Sequence, residues 1–483
     1  MEFQVIYRFL GKIAYIQAAV FLIPFGMALW LRESSWAALL FSALAAAAAG
    51  RICMHSGRLP HKALTTREGI AITGLGWFLA TFLGMLPYVL GGYLGLLDGI
   101  FESISGFTGT GATVIEDIEA LPQSILLWRS MTHWLGGLGI VVIFIALLPE
   151  AGQSTVAMYN AEAAGPSRER ILPRFQDMIH VLFRMYSAFT VIALVVFLLC
   201  GMDGISAVNH ALSTISAGGF STYNRSAAYF SSPWIEGWMT VFMILVGGNF
   251  GLYYQVYRKG PGVLRHNTEF KAYILILVLA MTAIGLNLCW QRGETWSSAL
   301  RYASFQTASI ATTGLVSADY DQWPPFSKGI LLLLMISGGC AGSVAAGIKI
   351  SRLVLLIRAL VHTITQKVHP QAVQGLQMNG SRIGSDAVIR AYQFFFLYIA
   401  LIVLWALLLT WDGIGMFDAI GISVSTMGCI GPAFGITGAT CTYAGLSDFS
   451  KTILCVSMLL GRLEMFTLLV MCRRSFWNKK GNW

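Results

Sequence analysis

Four short stretches rich in Gly, Ser and Thr recur along the chain, and each one ends at a glycine. They read SGFTGTG, STISAGG, ASIATTG and STMGCIG, and they end at Gly111, Gly219, Gly314 and Gly431. In each copy, small residues stand six, five and three positions before the final glycine, and an apolar residue stands four before it. Glycine accepts backbone conformations that a side chain forbids, so it can present carbonyl oxygens along a narrow path. Such oxygens can replace the water around a dehydrated cation. These four stretches, which we call the filter loops, therefore predict a cation filter.

The composition is that of a membrane protein. Of the 483 residues, 56% are hydrophobic and only 11% are charged, against about 25% charged residues in an ordinary soluble protein. The net charge of +9 does not indicate a nucleic-acid partner, because the basic residues form short clusters between apolar runs, as in the positive-inside pattern. The eight cysteines are scattered without a CxxC pair or a Cys/His cluster, so neither a disulfide framework nor a zinc site is predicted.

We predict ten apolar spans in the bilayer, at residues 13–31, 37–52, 69–90, 125–148, 180–200, 237–257, 272–289, 329–364, 388–410 and 453–471. The basic clusters lie around 51–67, 168–184, 258–271, 349–390 and 473–480, and the acidic residues lie in the alternate loops. The basic side, with both termini, is therefore expected to be cytoplasmic. All four filter loops fall on the acidic side, where an acidic vestibule would concentrate cations; simple topology control is the alternative.

The predicted fold is an all-α polytopic membrane protein, with four helix–pore-loop–helix units arranged around a pseudo-fourfold pore. Each unit has an outer helix, a short re-entrant helix, an extended filter loop and an inner helix, and backbone of this kind is tolerated at membrane depth only around a cavity or inside protein. The predicted domains are a two-helix hairpin at 1–66, unit 1 at 67–150, a cytoplasmic connector with unit 2 at 151–262, unit 3 at 263–366 and unit 4 at 367–483.

Each inner helix also carries a cluster of small residues, at 136–139, 247–251, 338–347 and around Gly461. The third cluster is the richest, with Gly338, Gly339, Gly342 and Gly347 inside one apolar span. A continuous helix there is unfavourable, because each Gly costs about 1 kcal/mol relative to Ala. Close helix packing is the alternative use of small residues. Adjacent glycines point to different sides of a helix, so we predict a broken helix that forms a movable gate.

Arg462 is a charged residue inside the last predicted span. An arginine at membrane depth is costly and by default functional. Glu464 is two residues away and points to another helix face, so we do not expect it to be the partner. Below the filter, the fixed positive charge would repel a cation and slow its passage. The alternative is a structural arginine that binds main-chain carbonyls between helices.

Several motifs together resemble the Trk/Ktr/HKT superfamily of potassium transporters. They are the four filter loops, the run GGCAGSVAAGIK at 338–349, GRLE at 461–464, and WRS at 128–130 followed by WLGGLG at 134–139. Within the superfamily the chain is similar to the bacterial TrkH/TrkG type, which has two additional N-terminal helices. The resemblance covers nearly the whole chain and uses motifs from all four units.

The resemblance implies potassium uptake and assigns roles to particular residues. The potassium-binding residues of the filter would be Thr110, Gly111, Gly218, Gly219, Thr313, Gly314, Ile430 and Gly431. Carbonyls further along would come from Thr108, Ser216, Ala311 and Gly428. Gly at all four key positions goes with potassium selectivity in this family. The gate would comprise Gly338, Gly339, Gly342, Gly347, Lys349 and Arg462.

The resemblance also implies partners and a location. Members of this type lie in the bacterial inner membrane as homodimers and bind cytosolic nucleotide-binding regulatory subunits similar to TrkA. This chain has no Gly-x-Gly-x-x-Gly motif after a strand, so a nucleotide site is expected on the partner. Cys429 stands where relatives often carry Asn, which bears on fine selectivity and leaves the cation class unchanged.

Three functions compete. The first is gated, channel-like potassium uptake, and the second is potassium symport with protons or sodium. Coupling usually requires a buried titratable group, and Glu464 and His133 are the candidates, although a lone His on an apolar helix is more often a packed core residue. A membrane enzyme is disfavoured, because the sequence has no HExxH or Gly-x-Ser-x-Gly motif and no acidic pair in neighbouring spans.

Overall fold

The computed structural model describes residues 1–58, 64–139, 175–369, 376–379 and 381–478. Almost all regular structure in these ranges is helical, apart from one antiparallel pair of two-residue strands, Gln377–Met378 and Ser381–Arg382. Among the described residues, 6 helices are long and apolar enough to cross a membrane, or 7 if one bent pair counts as a span. The chain is therefore a polytopic helical membrane protein, as predicted. The end of the span predicted at 125–148 and most of the predicted connector lie outside the described residues.

The first two helices, Phe3–Leu31 and Trp36–Ser56, form the predicted N-terminal hairpin. They pack closely where Gly11 faces Gly50, since a Cβ added at Gly11 would lie 3.0 Å from the carbonyl oxygen of Gly50. The turn that follows the first helix attaches the hairpin to unit 1. There the Glu33 carboxylate accepts the backbone N–H of Gln123 at 2.8 Å, and Ser35 Oγ lies 2.7 Å from Ser124 Oγ.

Each of the four units has the same order of elements. Unit 1 comprises the outer helix Thr66–Gly84 with its extension Leu86–Leu90, the short helix Leu96–Thr108 and the inner helix Gln123–Gly137. Unit 2 comprises Phe175–Leu199, Gly204–Ile215, and Pro233–Gly247 followed by Phe250–Lys259. Unit 3 comprises Thr268–Arg292, Trp296–Thr312, and Pro325–Ser337 followed by Ile350–Val368. Unit 4 comprises Ser385–Trp411, Met416–Gly428, and Asp448–Arg462 followed by Phe466–Met471.

The inner helices of units 2, 3 and 4 are broken, and only Gln123–Gly137 of the unit 1 inner helix lies in a helix among the described residues. For these two reasons ten predicted spans correspond to only six or seven long apolar helices. In unit 2 the two pieces meet at an angle of 92°. In unit 3, residues 338–349 separate the two pieces. In unit 4 the helix ends at Arg462, and both Glu464 and Met465 are left-handed, with φ of 53° and 52°. The predicted break at 338–347 is thus one of three.

The short helices begin at polar caps or turns and end within the filter loops, two to four residues before the filter glycine. Asp203 caps the unit 2 helix by accepting the Ser206 N–H at 2.9 Å, and Thr295 caps the unit 3 helix. In units 1, 2 and 4, a left-handed residue stands two positions before the filter glycine and terminates the helix. A helix carries partial negative charge at its C-terminus. All four short helices therefore direct that charge toward their filter loops.

Candidate cation filter and gate

The four filter glycines, Gly111, Gly219, Gly314 and Gly431, share one backbone conformation. Their φ angles are 79°, 83°, 92° and 100°, all in the left-handed region that residues with a Cβ rarely adopt. The recurrence in sequence therefore reflects a common local requirement. A side chain at any of the four positions would be strained before any neighbour is considered.

The four glycines also lie together, in a closed cycle of neighbours. A Cβ added at Gly111 would lie 3.3 Å from Gly219 Cα, and a Cβ at Gly219 would lie 3.4 Å from Gly314 Cα. A Cβ at Gly314 would press on the carbonyl of Ile430, and one at Gly431 would lie 2.8 Å from the carbonyl carbon of Gly111. Each filter loop thus meets the loop of the next unit, and the fourth meets the first.

The carbonyl oxygens nearest these added Cβ atoms belong to residues that the sequence assigned to the filter. They are those of Gly218 beside Gly111, Thr313 beside Gly219, and Ile430 beside Gly314. Beside Gly431, the oxygen of Thr110 would lie 2.5 Å from the added Cβ. The structure therefore brings Thr110, Gly218, Thr313 and Ile430 together with the four glycines.

The four residues predicted further along the path lie where the short helices end. Thr108 and Gly428 are the last helical residues in units 1 and 4, Ser216 is the C-cap in unit 2, and Ala311 is one residue before the helix end in unit 3. A Cβ added at Gly109, the residue after Thr108, would lie 3.9 Å from the Ser216 oxygen. The helix ends of units 1 and 2 are therefore adjacent.

Hydroxyl groups hold the filter loops from behind. Tyr443 Oη donates to the Gly431 carbonyl at 2.6 Å, and Ser425 Oγ reaches the same oxygen at 2.9 Å. Tyr320 of unit 3 donates to the Ala433 carbonyl of unit 4 at 2.8 Å. In unit 1, the Oγ1 atoms of Thr108 and Thr110 lie 2.7 Å apart. These contacts fix the backbone on which the carbonyl positions depend.

His133 is fully buried and supports the unit 2 loop. Its Nδ1 lies 2.7 Å from the Gly106 carbonyl, and its Nε2 accepts the Phe220 N–H at 3.2 Å. The ring also stacks on Phe220, with a centroid distance of 3.9 Å. An imidazole that donates at one nitrogen and accepts at the other is neutral. The geometry agrees with the interpretation of His133 as a packed core residue.

The irregular segment 338–349, which we call the gate loop, is anchored at several points. Gly338, Gly342 and Gly347 are left-handed, with φ of 63°, 73° and 79°. The N–H of Cys340 donates to the Gly247 carbonyl at 2.8 Å, which ties the gate loop to the break in unit 2. Gly339 packs there too, since an added Cβ would lie 2.8 Å from the same oxygen.

A buried carboxylate joins the gate loop to the helix that follows it. Glu269 Oε1, from the first turn of the unit 3 outer helix, accepts the Ala341 N–H at 2.6 Å and the Ser351 N–H at 3.0 Å. Lys349 is also buried, and its Nζ donates to the Ala345 carbonyl within the loop. The gate loop is therefore an ordered structure in this conformation, with charged groups that bind its main chain.

Arg462 reaches from unit 4 to units 1 and 3. Its Nη1 donates to the Val344 carbonyl in the gate loop at 2.7 Å. Its Nη2 donates to the Gly137 carbonyl at 2.7 Å and also to that of Gly136. The guanidinium thus joins the gate loop to the end of the unit 1 inner helix. Glu464, as expected, is not its partner, and instead pairs with Arg352 at 2.8 Å.

Adjacent glycines in the inner helices have a packing role that the sequence interpretation underrated. An added Cβ would lie 2.9 Å from Phe107 Cα at Gly136 and 3.0 Å from Ser216 Cα at Gly137. The pair therefore packs against the ends of two different short helices. In unit 4, a Cβ at Gly461 would lie 3.2 Å from Met427 Cα. The glycines of the inner helices therefore have two roles. Some break the helix, and others allow the ends of the short helices to pack closely against it.

Several acidic residues on the filter side have structural partners, so they are not all free to form a vestibule. Asp98 pairs with Lys451 at 2.7 Å, and Asp412 accepts Ser450 Oγ at 2.6 Å. Asp321 accepts the Gly435 N–H at 3.0 Å, and burial raises the pKa of this carboxyl above its usual range. These acidic residues therefore hold the outer loops in place, in addition to giving this side of the protein its negative charge.

Sequence reasoning missed several residues that hold this site. Tyr320 and Glu269 contact main chain more than seventy residues away, Tyr443 binds Gly431 from twelve residues away, and no short motif marks such pairs. Glu102 and Arg129 form an ion pair at 2.6 Å with both side chains buried. Arg129 lies inside a predicted span, and a charge at that depth was a usable signal.

Comparisons with known proteins agree along the whole chain. The model of the TrkH family, described as cation transport protein, matches residues 41–288 and 295–479. The chain is 33% identical to the Trk system potassium uptake protein TrkH of Vibrio parahaemolyticus, over 99% of this chain and 100% of that protein. It is 32% identical to the protein of the same name from Halomonas elongata, with the same coverage of both chains. It is 30% identical to the Trk system potassium uptake protein TrkG of Escherichia coli, over 98% of each chain.

A solved structure extends the likeness to three dimensions. The crystal structure described as the potassium transporter TrkH from Vibrio parahaemolyticus matches with a TM-score of 0.89 and 31% identity. The match covers 99% of this chain and 100% of that one. The family model, the relatives and the solved fold each match nearly the whole chain, and the chain belongs to the TrkH family of cation transport proteins.

Proposed function

We propose that this protein takes up potassium across the bacterial inner membrane through a gated, channel-like filter of backbone carbonyls. The closed cycle of Gly111, Gly219, Gly314 and Gly431 is the observation that carries the proposal. Relatives that align over nearly the full length are named potassium uptake proteins, which supports potassium as the transported ion.

The filter would work by replacing water with main-chain oxygens. The carbonyls beside the four glycines, from Thr110, Gly218, Thr313 and Ile430, would coordinate potassium after it loses its hydration shell. Carbonyls of Thr108, Ser216, Ala311 and Gly428 would extend the path, and the C-termini of the short helices add partial negative charge there. The hydroxyls behind the loops resist collapse onto a smaller ion.

The gate would consist of the gate loop and Arg462. Because Arg462 joins Val344 to Gly136 and Gly137, it fixes the gate loop against the unit 1 inner helix in the present conformation. Opening would require this arginine to exchange those carbonyls for others or for water. The left-handed glycines Gly338, Gly342 and Gly347 provide hinges for that movement.

The contacts of His133 and Glu464, the two candidates for ion coupling, favour a channel-like mechanism over symport. Both ring nitrogens of His133 are engaged, and Glu464 is paired with Arg352. Neither group is available as a proton carrier without breaking these contacts. Symport with protons or sodium remains the second candidate, because Glu464 lies beside the break in unit 4 and is only partly buried.

We also propose the topology and the assembly by analogy with the family. Both termini would lie in the cytoplasm, because the basic clusters mark that side. The protein would form a homodimer and bind a cytosolic regulatory subunit similar to TrkA, which would hold the nucleotide site.

Reconstituted liposomes would test both candidates. Purified protein should take up rubidium, and potassium should compete far better than sodium. Reversal potentials should then be measured under opposed potassium and proton gradients. A reversal potential set by potassium alone supports the channel-like mechanism. A shift with the proton gradient would establish coupling and overturn it, and uptake that is indifferent to potassium would overturn the whole assignment.

A further inference from the structure

The short helices of the four units differ at one buried position behind the filter. Nine residues before the filter glycine, unit 1 has Glu102, unit 2 has His210, unit 3 has Phe305 and unit 4 has Ile422. All four side chains are fully buried. Units 1 and 2 therefore place polar groups where units 3 and 4 place apolar ones, and a charged residue stands at this position in unit 1 alone.

The Glu102 carboxylate binds the segment that follows the filter loop of its own unit. It accepts Thr113 Oγ1 at 3.1 Å and the Val114 N–H at 3.0 Å, and these residues lie two and three positions beyond Gly111. It also accepts Arg129 Nε at 2.6 Å. A buried carboxylate that receives three donors is well satisfied, and hydrogen bonds to a charged group are the stronger kind.

Arg129 extends the same network into unit 2. Its Nη1 donates to the Ser221 carbonyl at 2.9 Å, two residues beyond Gly219, and the guanidinium lies 3.6 Å from the centroid of the Phe220 ring. Ser221 Oγ in turn lies 3.0 Å from His210 Nε2. One buried ion pair thus contacts the chain just beyond two neighbouring filter loops.

We propose that the Glu102–Arg129 pair is a positioning element that sets the spacing between the filter loops of units 1 and 2 and thereby the preference of the filter for larger over smaller monovalent cations. The inference rests on the proposed potassium function. Whether selectivity comes from cavity size or from the field of the coordinating dipoles, it depends on where the carbonyls lie. The pair fixes the loop residues just beyond Gly111 and Gly219, so a change in the pair should move those carbonyls.

Another ion pair provides a matched control. Glu236 and Arg301 join the inner helix of unit 2 to the short helix of unit 3 at 2.7 Å, and Glu236 is buried. Both partners lie on helices. Loss of this pair should weaken the contact between two units, whereas loss of Glu102–Arg129 should also change ion preference.

The test compares two double variants in liposomes, Glu102→Leu/Arg129→Met and Glu236→Leu/Arg301→Met. Removing both charges avoids an unpaired buried ion, which is the most disruptive outcome, and Leu resembles the apolar residues of units 3 and 4. The measurement is rubidium uptake competed by sodium. The first variant should lose the rubidium-over-sodium preference by about fivefold or more, which corresponds to roughly one hydrogen bond, and the control should keep it within about twofold.

A monodisperse, transporting Glu102→Leu/Arg129→Met protein with unchanged ion preference would overturn the inference. If that variant does not fold, Arg129→Lys keeps the charge but loses the planar donor geometry. It should then show a reduced preference, and an unchanged preference would again overturn the inference. A wild-type protein that takes up no rubidium would instead overturn the proposed function, so the two failures are distinguishable.

Discussion

At the scale of single residues, the filter glycines face two constraints at once. Gly111 and Gly314 need left-handed φ angles, and each also lies against main chain from the next unit. Left-handed backbone costs a residue with a Cβ about 1–2 kcal/mol. The packing constraint is more severe, since the neighbouring carbonyls cannot move without disturbing the closed cycle of the four filter loops.

We expect Gly111→Ala and Gly314→Ala to abolish potassium uptake while the protein still reaches the membrane. Gly237→Ala is the matched control, because nothing lies within 4 Å of a Cβ added there. Growth of a potassium-uptake-deficient strain on low potassium, with immunoblotting of membranes, provides the measurement. Robust growth with Gly314→Ala would mean that the ion does not pass through the closed cycle of filter glycines.

Arg462 is a second test at this scale. Removing it deletes a positive charge and three hydrogen bonds to the carbonyls of Val344, Gly136 and Gly137. We expect Arg462→Ala to raise rubidium flux several-fold, roughly three- to tenfold, because repulsion of the cation and restraint of the gate loop both disappear. Arg292→Ala, at an exposed helix end, should leave flux unchanged. Lower flux in well-expressed Arg462→Ala protein would instead assign Arg462 a structural role.

At the scale of elements, the breaks in the inner helices matter more than the helices themselves. The gate loop is bound through main-chain groups, which a sequence pattern does not reveal. The glycine cluster predicts that a break occurs near 338–347. It does not predict that Glu269, from another helix, binds Ala341 in the loop and Ser351 in the helix that follows, because that contact depends on tertiary packing.

Loss of Glu269 should loosen the gate loop. Glu269→Ala leaves two buried N–H groups without their acceptor, and each such loss costs about 1–3 kcal/mol. We expect Cys340, which is fully buried in the loop, to react faster with a maleimide in this variant. Asp386→Ala is the control, since Asp386 is the corresponding first-turn acid of the unit 4 outer helix and is exposed. Peptide mass spectrometry would report the rate at Cys340, and equal rates would exclude Glu269 as an anchor.

At the scale of the whole molecule, the chain links units 1 to 2, 2 to 3 and 3 to 4, whereas units 4 and 1 meet without a covalent connection. Lys451 of unit 4 and Asp98 of unit 1 pair there at 2.7 Å, with Lys451 buried and Asp98 partly exposed. Tyr443 of unit 4 adds a main-chain bond from its N–H to the Thr113 carbonyl at 2.7 Å. This junction closes the cycle.

The charges at this junction should be interchangeable only as a pair. Lys451→Asp places two acids together, so we expect a lower melting temperature of the detergent-solubilised protein. The exchange Asp98→Lys/Lys451→Asp should recover most of that loss. The double exchange is expected to be more stable than Lys451→Asp by only about 1 kcal/mol, because Asp98 is partly exposed. Fluorescence-detected size exclusion after heating would measure it, and a swap no more stable than the single variant would show that the pair contributes nothing.

Much of the architecture could be predicted from the sequence, because hydrophobic runs and a fourfold loop pattern repeat at the scale of whole units. The four filter loops and the gate loop follow from glycine placement. What could not be predicted is how the units differ where they meet. Among the described residues, Glu236–Arg301 and Asp98–Lys451 each join one pair of units, and Glu102–Arg129 lies in unit 1 and reaches unit 2 through Ser221. A sequence repeat cannot predict contacts that differ from unit to unit.

The joining of four unlike units in one polypeptide has an evolutionary consequence. In a channel built from four identical subunits, one mutation changes every quadrant of the coordination shell together. Under the proposed function, a codon change at Thr313 here alters a single quadrant and leaves three intact. Ion preference can therefore drift in small increments under selection, with function retained at each step.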